Sequence, residues 1–591
     1  MTETHYVCMF LSIKGIPYFV KHLISRNFIV SFWLCLFGVN VSAQNILPYY
    51  WRINFKNDTS VNTRHAKAHS IVSTLLSWER QGYFAGDGDC TLTSNFEVKD
   101  ANLKYVLTIR LQCDVNSLRI NGKYIASDLK NQFWSDKKTF TQLPLKKGIL
   151  KKGKNTITIY CSSLGYTGGI SHSLLTVTPA KDKSNERLLI TLPTRNHVCL
   201  GEEDKIATIH YFTSQESSLR LRIETDFHQP CIDTLISLSP KDTLVHIDLN
   251  RICEEPEFYQ ITAVMHGEGY TGNVQWMAVK PEEVSCNNQT IRGFDDYWDK
   301  AKAELAAISP NFRMHKVDSL CRKSQRDVYI VEMQSLGNLT IRGYYFVPRT
   351  EGKHITVLQV PGYGWGFENI DDMLNAKTNR IELALCVRGH GISADVFNPG
   401  FETPGVWGYK LYNSDSIAYR AIYMDCVRAV DFLCSRPEVD IHRIAVKGGS
   451  QGGGLTLATA ALCSDKIAAC AYFDPFPCDM RHQIRIRTTC ETELKNNLSY
   501  YGNPCSFGDA MNVQDLIDTR SFASEIKCPV LYTAALFDDD CPVHGGFTAY
   551  NLIKSPKQYK VFPNDGHIEG FAHDAIIMNW IDTTLSSKIS N

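Results

Sequence analysis

The sequence predicts a chain of several domains, in which an α/β domain with a mostly parallel sheet follows two domains built from β-strands. Between residues 328 and 562, short apolar runs alternate with helical stretches. This pattern is typical of parallel strands that are buried on both faces of a three-layer domain. Before residue 285, short alternating strands are separated by turn signals, as in antiparallel sheets.

The N-terminus has the features of a secretory signal peptide. Lysine and arginine residues precede an apolar run over residues 28–39, and Val41-Ser42-Ala43 offers small residues before a cleavage point. The run is too short for a transmembrane helix, which needs about 20 residues. We therefore expect residues 1–43 to be removed, Gln44 to begin the mature chain, and the protein to be secreted or periplasmic without a membrane span.

The first predicted β domain covers residues 44–182. Its clearest strands lie at residues 105–111, 117–125 and 152–160. Asn121-Gly122 is a strong signal for a two-residue hairpin. These features resemble the galactose-binding-like jelly-roll β-sandwich modules that are attached to glycoside hydrolases. The resemblance leaves two roles open, which are glycan binding through Trp78, Tyr83 or Trp134 and support of the following domains.

The second predicted β domain covers residues 183–285. Alternating strands such as 205–211 and 258–264, in a segment of about 100 residues, suit an immunoglobulin-like β-sandwich that serves as a spacer. The α/β domain is then predicted over residues 286–591, and an amphipathic helix over 295–308 begins it.

The strongest chemical signal lies around Ser450. An apolar run over residues 444–446 leads into Gly-Gly-Ser-Gln-Gly at 448–452, and a helix-forming segment follows at once. This is the strand, sharp turn and helix of a G-x-S-x-G nucleophile elbow, which predicts an α/β-hydrolase domain. A phosphate-binding P-loop is disfavoured because no Gly-Lys-Ser/Thr follows.

A candidate acid and a candidate base follow the serine in the chain order that this fold requires. Asp538 ends an apolar, β-prone run, and His567 follows the next short strand. We expect His567 to take the proton of Ser450 and Asp538 to orient the imidazole. Asp539 and Asp540 fit a solvated turn better, and His573 ranks second as base because it begins the last helix.

The candidate oxyanion hole needs two N–H donors. A buried-strand pattern at residues 355–360 is followed by Pro361-Gly362-Tyr363-Gly364, and Gln451 follows the candidate nucleophile. The backbone N–H groups of Tyr363 and Gln451 are therefore the predicted donors.

These residues also carry a family resemblance that spans about residues 288–588. The segments that carry it are 294–298, 361–364, 419–429, 448–454 and 536–542. They resemble the acetyl xylan esterase / cephalosporin C deacetylase family, carbohydrate esterase family 7. The resemblance implies a Ser-His-Asp esterase that removes small acyl groups, usually acetyl, from sugar hydroxyls, so that an acetylated carbohydrate would be its substrate.

Three positions depart from the family pattern. The family's Arg-Gly-Gln motif is Arg388-Gly389-His390 here, Pro361 stands where histidine is common, and Ile568 separates the candidate base from Glu569. None of these changes removes a member of the predicted triad, so they bear on acyl size and substrate identity. Arg388 is interpreted as a buried structural charge, since a guanidinium does not act as a base.

Composition narrows the remaining possibilities. The chain has 62 Lys and Arg and 62 Asp and Glu residues, a formal net charge of zero, which gives no electrostatic reason to expect nucleic acid as a partner. No Cys-x-x-Cys pair suggests a zinc site, and neither a metal nor a cofactor is expected. Few disulfides are predicted, because Cys386, Cys463 and Cys470 lie in core-like segments. The oligomeric state stays open.

Two other function classes remain possible at this stage. One is a serine hydrolase of the same fold with another acyl or peptide specificity, although the segment before the α/β domain is short for the β-propeller of an oligopeptidase and shows no repeat. The other is an inactive glycan-binding relative, which the His390 and Pro361 departures leave open.

Overall fold

The computed structural model describes residues 46–48, 50–55, 71–73, 89–111, 113–129, 141–162, 169–176, 187–266, 270–285, 291–364, 366–367, 369–401, 403–570 and 573–586. These residues belong to two compact units, Met1–Lys280 and Pro281–Asn591. The predicted signal peptide and the aromatic residues Trp78, Tyr83, Trp134 and Trp365 lie outside the described residues. The boundary between the units falls at 280/281, slightly before the predicted 285/286.

Nine strands lie among the described residues of the first part of the N-terminal unit. They are β1 (Tyr50–Phe55), β2 (Ile71–Ser73), β3 (Asp89–Val98), β4 (Val106–Leu111), β5 (Asp114–Ile120), β6 (Lys123–Leu129), β7 (Thr141–Pro144), β8 (Gly153–Ser162) and β9 (Ile170–Thr176). They form a six-stranded sheet, β2-β1-β3-β8-β5-β6, and a three-stranded sheet, β7-β4-β9, around one hydrophobic core. Asn121 and Gly122 join β5 to β6 with φ values of 52° and 76°, the left-handed conformation that a type I′ hairpin requires.

In the second part of this unit, the residues that the structure describes form eight strands. They are β10 (Arg187–Thr191), β11 (Val198–Cys199), β12 (Ile206–Phe212), β13 (Ser217–Thr225), β14 (Pro230–Leu238), β15 (Leu244–Asp248), β16 (Glu257–His266) and β17 (Tyr270–Val279). A three-stranded sheet, β10-β12-β15, and a five-stranded sheet, β11-β17-β16-β13-β14, share a second hydrophobic core.

The C-terminal unit is built on a nine-stranded sheet in the order β18-β19-β20-β22-β21-β23-β24-β25-β26. Its strands are β18 (Arg313–Lys316), β19 (Arg326–Ser335), β20 (Leu339–Pro348), β21 (His354–Gln359), β22 (Ile381–Cys386), β23 (Val439–Ser450), β24 (Ala469–Pro475), β25 (Val530–Ala535) and β26 (Lys557–Phe562). The pairs from β18 to β20 and on to β22 are antiparallel, and all later pairs are parallel. This is the sheet of an α/β-hydrolase domain.

Burial follows the position of each strand. Every residue of β22 and β25 is buried, whereas buried and half-buried residues alternate along β19. Strands with both faces covered need continuous apolar runs, and a strand with one open face needs alternation.

Twelve helices of the described residues accompany this sheet. They are α1 (Phe294–Ala306), α2 (Asp318–Cys321), α3 (Asp371–Asn375), α4 (Gly405–Gly408), α5 (Ala418–Cys434), α6 (Gln451–Leu462), α7 (Met480–Ile486), α8 (Thr488–Tyr500), α9 (Phe507–Ile517), α10 (Val543–Leu552), α11 (His567–Gly570) and α12 (Asp574–Ser586). Ile577, Ile581 and Leu585 of α12 share a core with Val357, Ala445 and Ala469 of the sheet. The neighbouring strand residues, such as Val446 and Cys470, point to the opposite face and are also buried, so both faces of the sheet are covered.

Helix α1 corresponds to the predicted opening helix over 295–308. Its buried residues Trp298, Ala301 and Leu305 lie on one face. The Arg428 guanidinium donates to the carbonyl oxygens of Leu305 (2.7 Å) and Ile308 (3.0 Å). The Leu305 carbonyl also accepts from the Ile308 N–H at 3.0 Å. The cation adds a second donor there and binds the Ile308 carbonyl just beyond the helix, so it fixes the C-terminal end of α1.

None of the helices formed by the described residues combines the length and the apolar character that crossing a membrane requires. The described cysteines are free thiols, and Cys386, Cys463 and Cys470 are buried.

Candidate active site

Ser450 lies at the turn between the strand β23 and the helix α6. It is the last residue of the strand and the N-cap of the helix, with φ 59° and ψ −127°. A residue with a Cβ rarely adopts this conformation, and surrounding structure must hold it there. The turn brings the Ser450 side chain to the carboxyl end of the parallel strands, where ligands bind in α/β sheets.

Glycines allow α6 to pack closely enough to form this turn. A Cβ at Gly452 would lie 2.6 Å from the carbonyl oxygen of Val360, and a Cβ at Gly448 would lie 2.6 Å from that of Gly452. Added Cβ atoms at Gly453 and Gly454 would overlap the carbonyl oxygens of Phe473 and Phe476. The helix therefore contacts neighbouring backbone directly.

The structure brings the three predicted triad residues together in one hydrogen-bonded chain. The His567 Nε2 atom lies 3.1 Å from Ser450 Oγ, and the Nδ1 atom lies 2.7 Å from Asp538 Oδ2. The other carboxylate oxygen, Oδ1, accepts from the backbone N–H groups of Asp540 (2.9 Å) and Cys541 (2.7 Å). Because Asp538 accepts at Nδ1, that nitrogen carries the proton in the neutral imidazole, and Nε2 then faces the serine hydroxyl as an acceptor.

The second-ranked histidine lies elsewhere. His573 hydrogen-bonds Asp565 at 3.0 Å and stacks on Phe562 with ring centroids 3.7 Å apart. Only His567 of these two histidines is hydrogen-bonded to Ser450.

Asp540 has a partner that the sequence did not reveal. It was interpreted as a solvated turn residue, and its side chain is half exposed, but it also pairs with Arg487 at 2.7 Å. Its Oδ2 atom lies 3.6 Å from His567 Nε2. A second carboxylate therefore acts on the imidazole.

These charges decide the protonation of His567. Burial lowers the pKa of its imidazole, but the charge and hydrogen bond of Asp538 and the charge of Asp540 outweigh burial and raise the pKa to about 9. Behind the triad, the fully buried Asp474 accepts from Tyr532 Oη (2.6 Å) and from the Ala535 N–H (3.0 Å). Burial and the charge of Asp538 raise the pKa of Asp474 well above its usual range.

The two predicted oxyanion donors lie on segments that meet at the Gln451 side chain, whose Nε2 atom is 3.3 Å from the Gly362 carbonyl oxygen. Tyr363 lies on the loop that follows β21, and Gln451 is the first residue of α6. The N–H groups of a helix's first turn have no acceptor within the helix and face positive potential, which suits an anion. The Cys541 Sγ atom lies 3.7 Å from Ser450 Oγ, so this thiol also lines the site.

Arg388 and Trp407 both have structural partners. Arg388 is buried and donates to both carboxylate oxygens of Asp425, at 2.7 and 2.9 Å. Trp407 is buried, and its indole N–H donates to Gln514 at 3.3 Å.

One cluster in the C-terminal unit has metal-ligating side chains. Ligand atoms of Asp479, His482 and His544 all lie within 4.8 Å of one another. The Asp479 carboxylate, however, already accepts from His482 Nδ1 at 2.8 Å and pairs with Arg520 at 3.4 Å. The ion pair and hydrogen bond account for this cluster, and we assign no metal to it.

A serine at the elbow of an α/β-hydrolase sheet, hydrogen-bonded to a histidine, defines the class of the protein as a serine carboxylic-ester hydrolase. Comparison with known proteins identifies the family. The profile of the acetyl xylan esterase family matches residues 282–584, more than half of the chain. The chain belongs to the acetyl xylan esterase family.

Individual relatives agree with this family. Acetyl esterase Axe7A of Xylanibacter ruminicola is 28% identical over 336 residues, which cover 53% of this chain and 71% of that protein. Two acetyl xylan esterases of known structure are also similar. That of Paenibacillus sp. R4 is 29% identical with a TM-score of 0.47, and that of Thermoanaerobacterium sp. JW/SL YS485 is 28% identical with a TM-score of 0.46. In both cases the matched region covers 51% of this chain and 98% of the chain of known structure.

The glycine packing leads to a stability prediction. Gly454→Ala should destabilise the C-terminal unit by about 1–3 kcal/mol, because the new methyl group overlaps a backbone carbonyl that has little freedom to move. Gly508→Ala is the matched control. Its methyl group would meet only Ser506 Oγ at 3.7 Å, so the helical preference of alanine should leave stability unchanged or raise it by up to about 1 kcal/mol. Calorimetric melting of both variants measures the difference, and an unchanged melting temperature for Gly454→Ala would contradict the close-packing argument.

Proposed function

We propose that the protein is an exported esterase that removes acetyl groups from O-acetylated polysaccharides or oligosaccharides through a triad of Ser450, His567 and Asp538. The unbroken hydrogen-bond chain from serine to carboxylate carries this proposal. Membership of the acetyl xylan esterase family supports acetyl as the acyl group and a carbohydrate as its carrier.

In the first half of the reaction, the Ser450 hydroxyl attacks the acetyl carbonyl carbon while His567 Nε2 takes its proton. The carbonyl oxygen becomes an oxyanion, which the N–H groups of Tyr363 and Gln451 stabilise. When the tetrahedral intermediate collapses, the bond to the sugar oxygen breaks and the imidazolium returns its proton to that oxygen. The sugar leaves with a free hydroxyl, and an acetyl-enzyme remains on Ser450.

In the second half, water takes the place of the sugar. His567 Nε2 removes a proton from the water, whose oxygen attacks the acetyl-enzyme carbonyl. Collapse of the second tetrahedral intermediate returns the proton to Ser450 Oγ and releases acetic acid, which ionises at neutral pH. Throughout the reaction, Asp538 stays ionised and accepts the hydrogen bond from the Nδ1–H group of His567.

The N-terminal segments complete the proposal. We assign residues 44–182 to a galactose-binding-like jelly roll and residues 183–285 to an immunoglobulin-like sandwich, which the two separate cores of paired sheets support. Export is supported by the charged and apolar segments before Gln44.

The proposed function predicts serine-dependent acetate release. Wild type and Ser450→Ala are incubated with acetylated xylan, acetylated pectin and a peracetylated monosaccharide, and acetate is measured. The variant should lose at least about 10³-fold in rate, because the triad acts as a unit around the nucleophile, and it should melt at the wild-type temperature. Near-wild-type activity in the variant would reject Ser450 as nucleophile. Serine-dependent cleavage of other esters without acetate release would reject the acetyl specificity.

The electrostatics predict an alkaline pH profile. His567 must be neutral to accept a proton, and its pKa is raised to about 9, so kcat/KM should rise with pH from 7 towards 9. An unperturbed histidine would place this rise near 6.5. Asp540→Asn removes a negative charge that lies 3.6 Å from Nε2, so this variant should reach half-maximal kcat/KM at a lower pH than wild type.

The control for this profile is Asp415→Asn, which neutralises an exposed carboxylate paired with Lys300 and should leave the profile unchanged. Spontaneous ester hydrolysis is subtracted with Ser450→Ala. A wild-type profile that is half-maximal at pH 6.5 or below, and that Asp540→Asn does not move, would contradict the proposed charge arrangement.

A further inference from the structure

His390 stands where the family has glutamine, and it is fully buried beside the predicted oxyanion loop. Its Nε2 atom lies 3.0 Å from Gln451 Nε2, and its Nδ1 atom lies 3.2 Å from the Arg388 carbonyl oxygen. Its ring is also edge-on to that of Tyr363, with centroids 6.2 Å apart. His390 therefore contacts both residues that supply the proposed oxyanion donors.

The neighbours of Gln451 fix the orientation of its carboxamide. The side-chain Nε2 atom lies 3.4 Å from the Pro361 carbonyl oxygen and 3.3 Å from that of Gly362. Carbonyl oxygens only accept hydrogen bonds, so the NH₂ group must face this loop. On the other side, Oε1 accepts from the Tyr419 hydroxyl at 2.8 Å.

This orientation in turn fixes the tautomer of His390. The NH₂ group of a carboxamide can donate hydrogen bonds but cannot accept them. His390 Nε2 must therefore accept from Gln451 and cannot carry a proton. The imidazole proton is then on Nδ1, which donates to the Arg388 carbonyl oxygen. Burial lowers the pKa of His390 to about 4, which agrees with a neutral ring at physiological pH.

The hydrogen bond from Gln451 Nε2 to the Gly362 carbonyl oxygen also affects the neighbouring N–H of Tyr363, the candidate donor. The Gly362 carbonyl and the Tyr363 N–H belong to one planar peptide unit and point in opposite directions. A hydrogen bond that holds the carbonyl therefore also orients the N–H. Gln451 thus supplies one donor through its backbone and orients the other through its side chain.

We propose that His390 is a positioning residue of the oxyanion hole, whose Nε2 atom accepts from the Gln451 carboxamide and so fixes the Gly362–Tyr363 peptide. The inference rests on the proposed function for the two donors. The loop itself packs on this histidine, since a Cβ at Gly366 would lie 3.1 Å from His390 Cβ and 3.1 Å from the Gly391 nitrogen. In this chain, the imidazole at the motif position where the family has glutamine supplies that acceptor.

Two variants distinguish the loss of the hydrogen-bond acceptor at residue 390 from the loss of side-chain packing there. His390→Gln can place a carbonyl oxygen near the position of Nε2, whereas the shorter side chain of His390→Asn reaches only the region of Nδ1. Exposed His442→Asn serves as the matched control. We measure kcat and KM for a peracetylated monosaccharide and for p-nitrophenyl acetate, and the melting temperature of each full-length variant.

We expect His390→Asn to lower kcat by about 10- to 100-fold, less than the loss of a whole oxyanion donor, because the donor is misoriented and not removed. KM should stay within about twofold, since the oxyanion forms only in the transition state. His390→Gln should restore kcat to within about threefold of wild type, and His442→Asn should match wild type.

Three results would overturn the inference. The first is a His390→Asn variant with wild-type kcat. The second is an equal loss in His390→Asn and His390→Gln. The third is a loss that follows a lower melting temperature and raises KM. If wild type releases no acetate, the proposed function fails separately. Imidazole ¹⁵N shifts, assigned with His390→Gln, then decide on His390, because an Nε2–H tautomer would overturn the inference and an Nδ1–H tautomer would support it.

Discussion

Direct contact between the helix α6 and the backbone of the sheet is the constraint on which the site depends. Gly452 meets the Val360 carbonyl at the end of β21, and Gly453 and Gly454 meet carbonyl groups at and just beyond the end of β24. This contact holds Ser450 at a positive φ that an isolated residue would avoid. It also places the N-terminus of α6 beside the loop that follows β21, so that one packing contact positions the proposed nucleophile and a proposed N–H donor together.

Two carboxylates lie on opposite sides of the His567 imidazole. Asp538 holds one side of His567, and Asp540 approaches the other side while it is neutralised in part by Arg487. In the proposed mechanism, these two carboxylates stabilise the imidazolium that forms when Ser450 gives up its proton, which lowers the barrier to attack. The same charges keep the free imidazole protonated to higher pH. In the proposed mechanism, the two carboxylates therefore stabilise the transition state, but they also reduce the fraction of His567 that is neutral at pH 7.

Much of the C-terminal unit follows from local sequence patterns. Mostly apolar runs predicted the inner strands of the parallel part, because a strand that is buried on both faces leaves few positions for polar side chains. The antiparallel strands β18 and β20 were not identified, since a half-buried alternating strand has a weaker signal. The elbow was evident because its strand, glycines and helix are contiguous.

Contacts between distant segments were not accessible in the same way. Arg487 and Asp540 are 53 positions apart, and His390 and Gln451 are 61 apart. His390 could be recognised as a departure from a motif, but its hydrogen-bonding role depends on how β22 and α6 meet in space. Polar contacts of this kind arise from tertiary packing, and no periodicity in the sequence marks them.

The most direct test of the account is to trap the covalent intermediate. Wild-type protein is mixed rapidly with an acetylated substrate, quenched in acid within the first turnover, and digested for mass spectrometry. An acetyl group is expected on the peptide that contains Ser450, and none on the same peptide of Ser450→Ala. An acetyl group on a different residue, with none on Ser450, would contradict the proposed nucleophile.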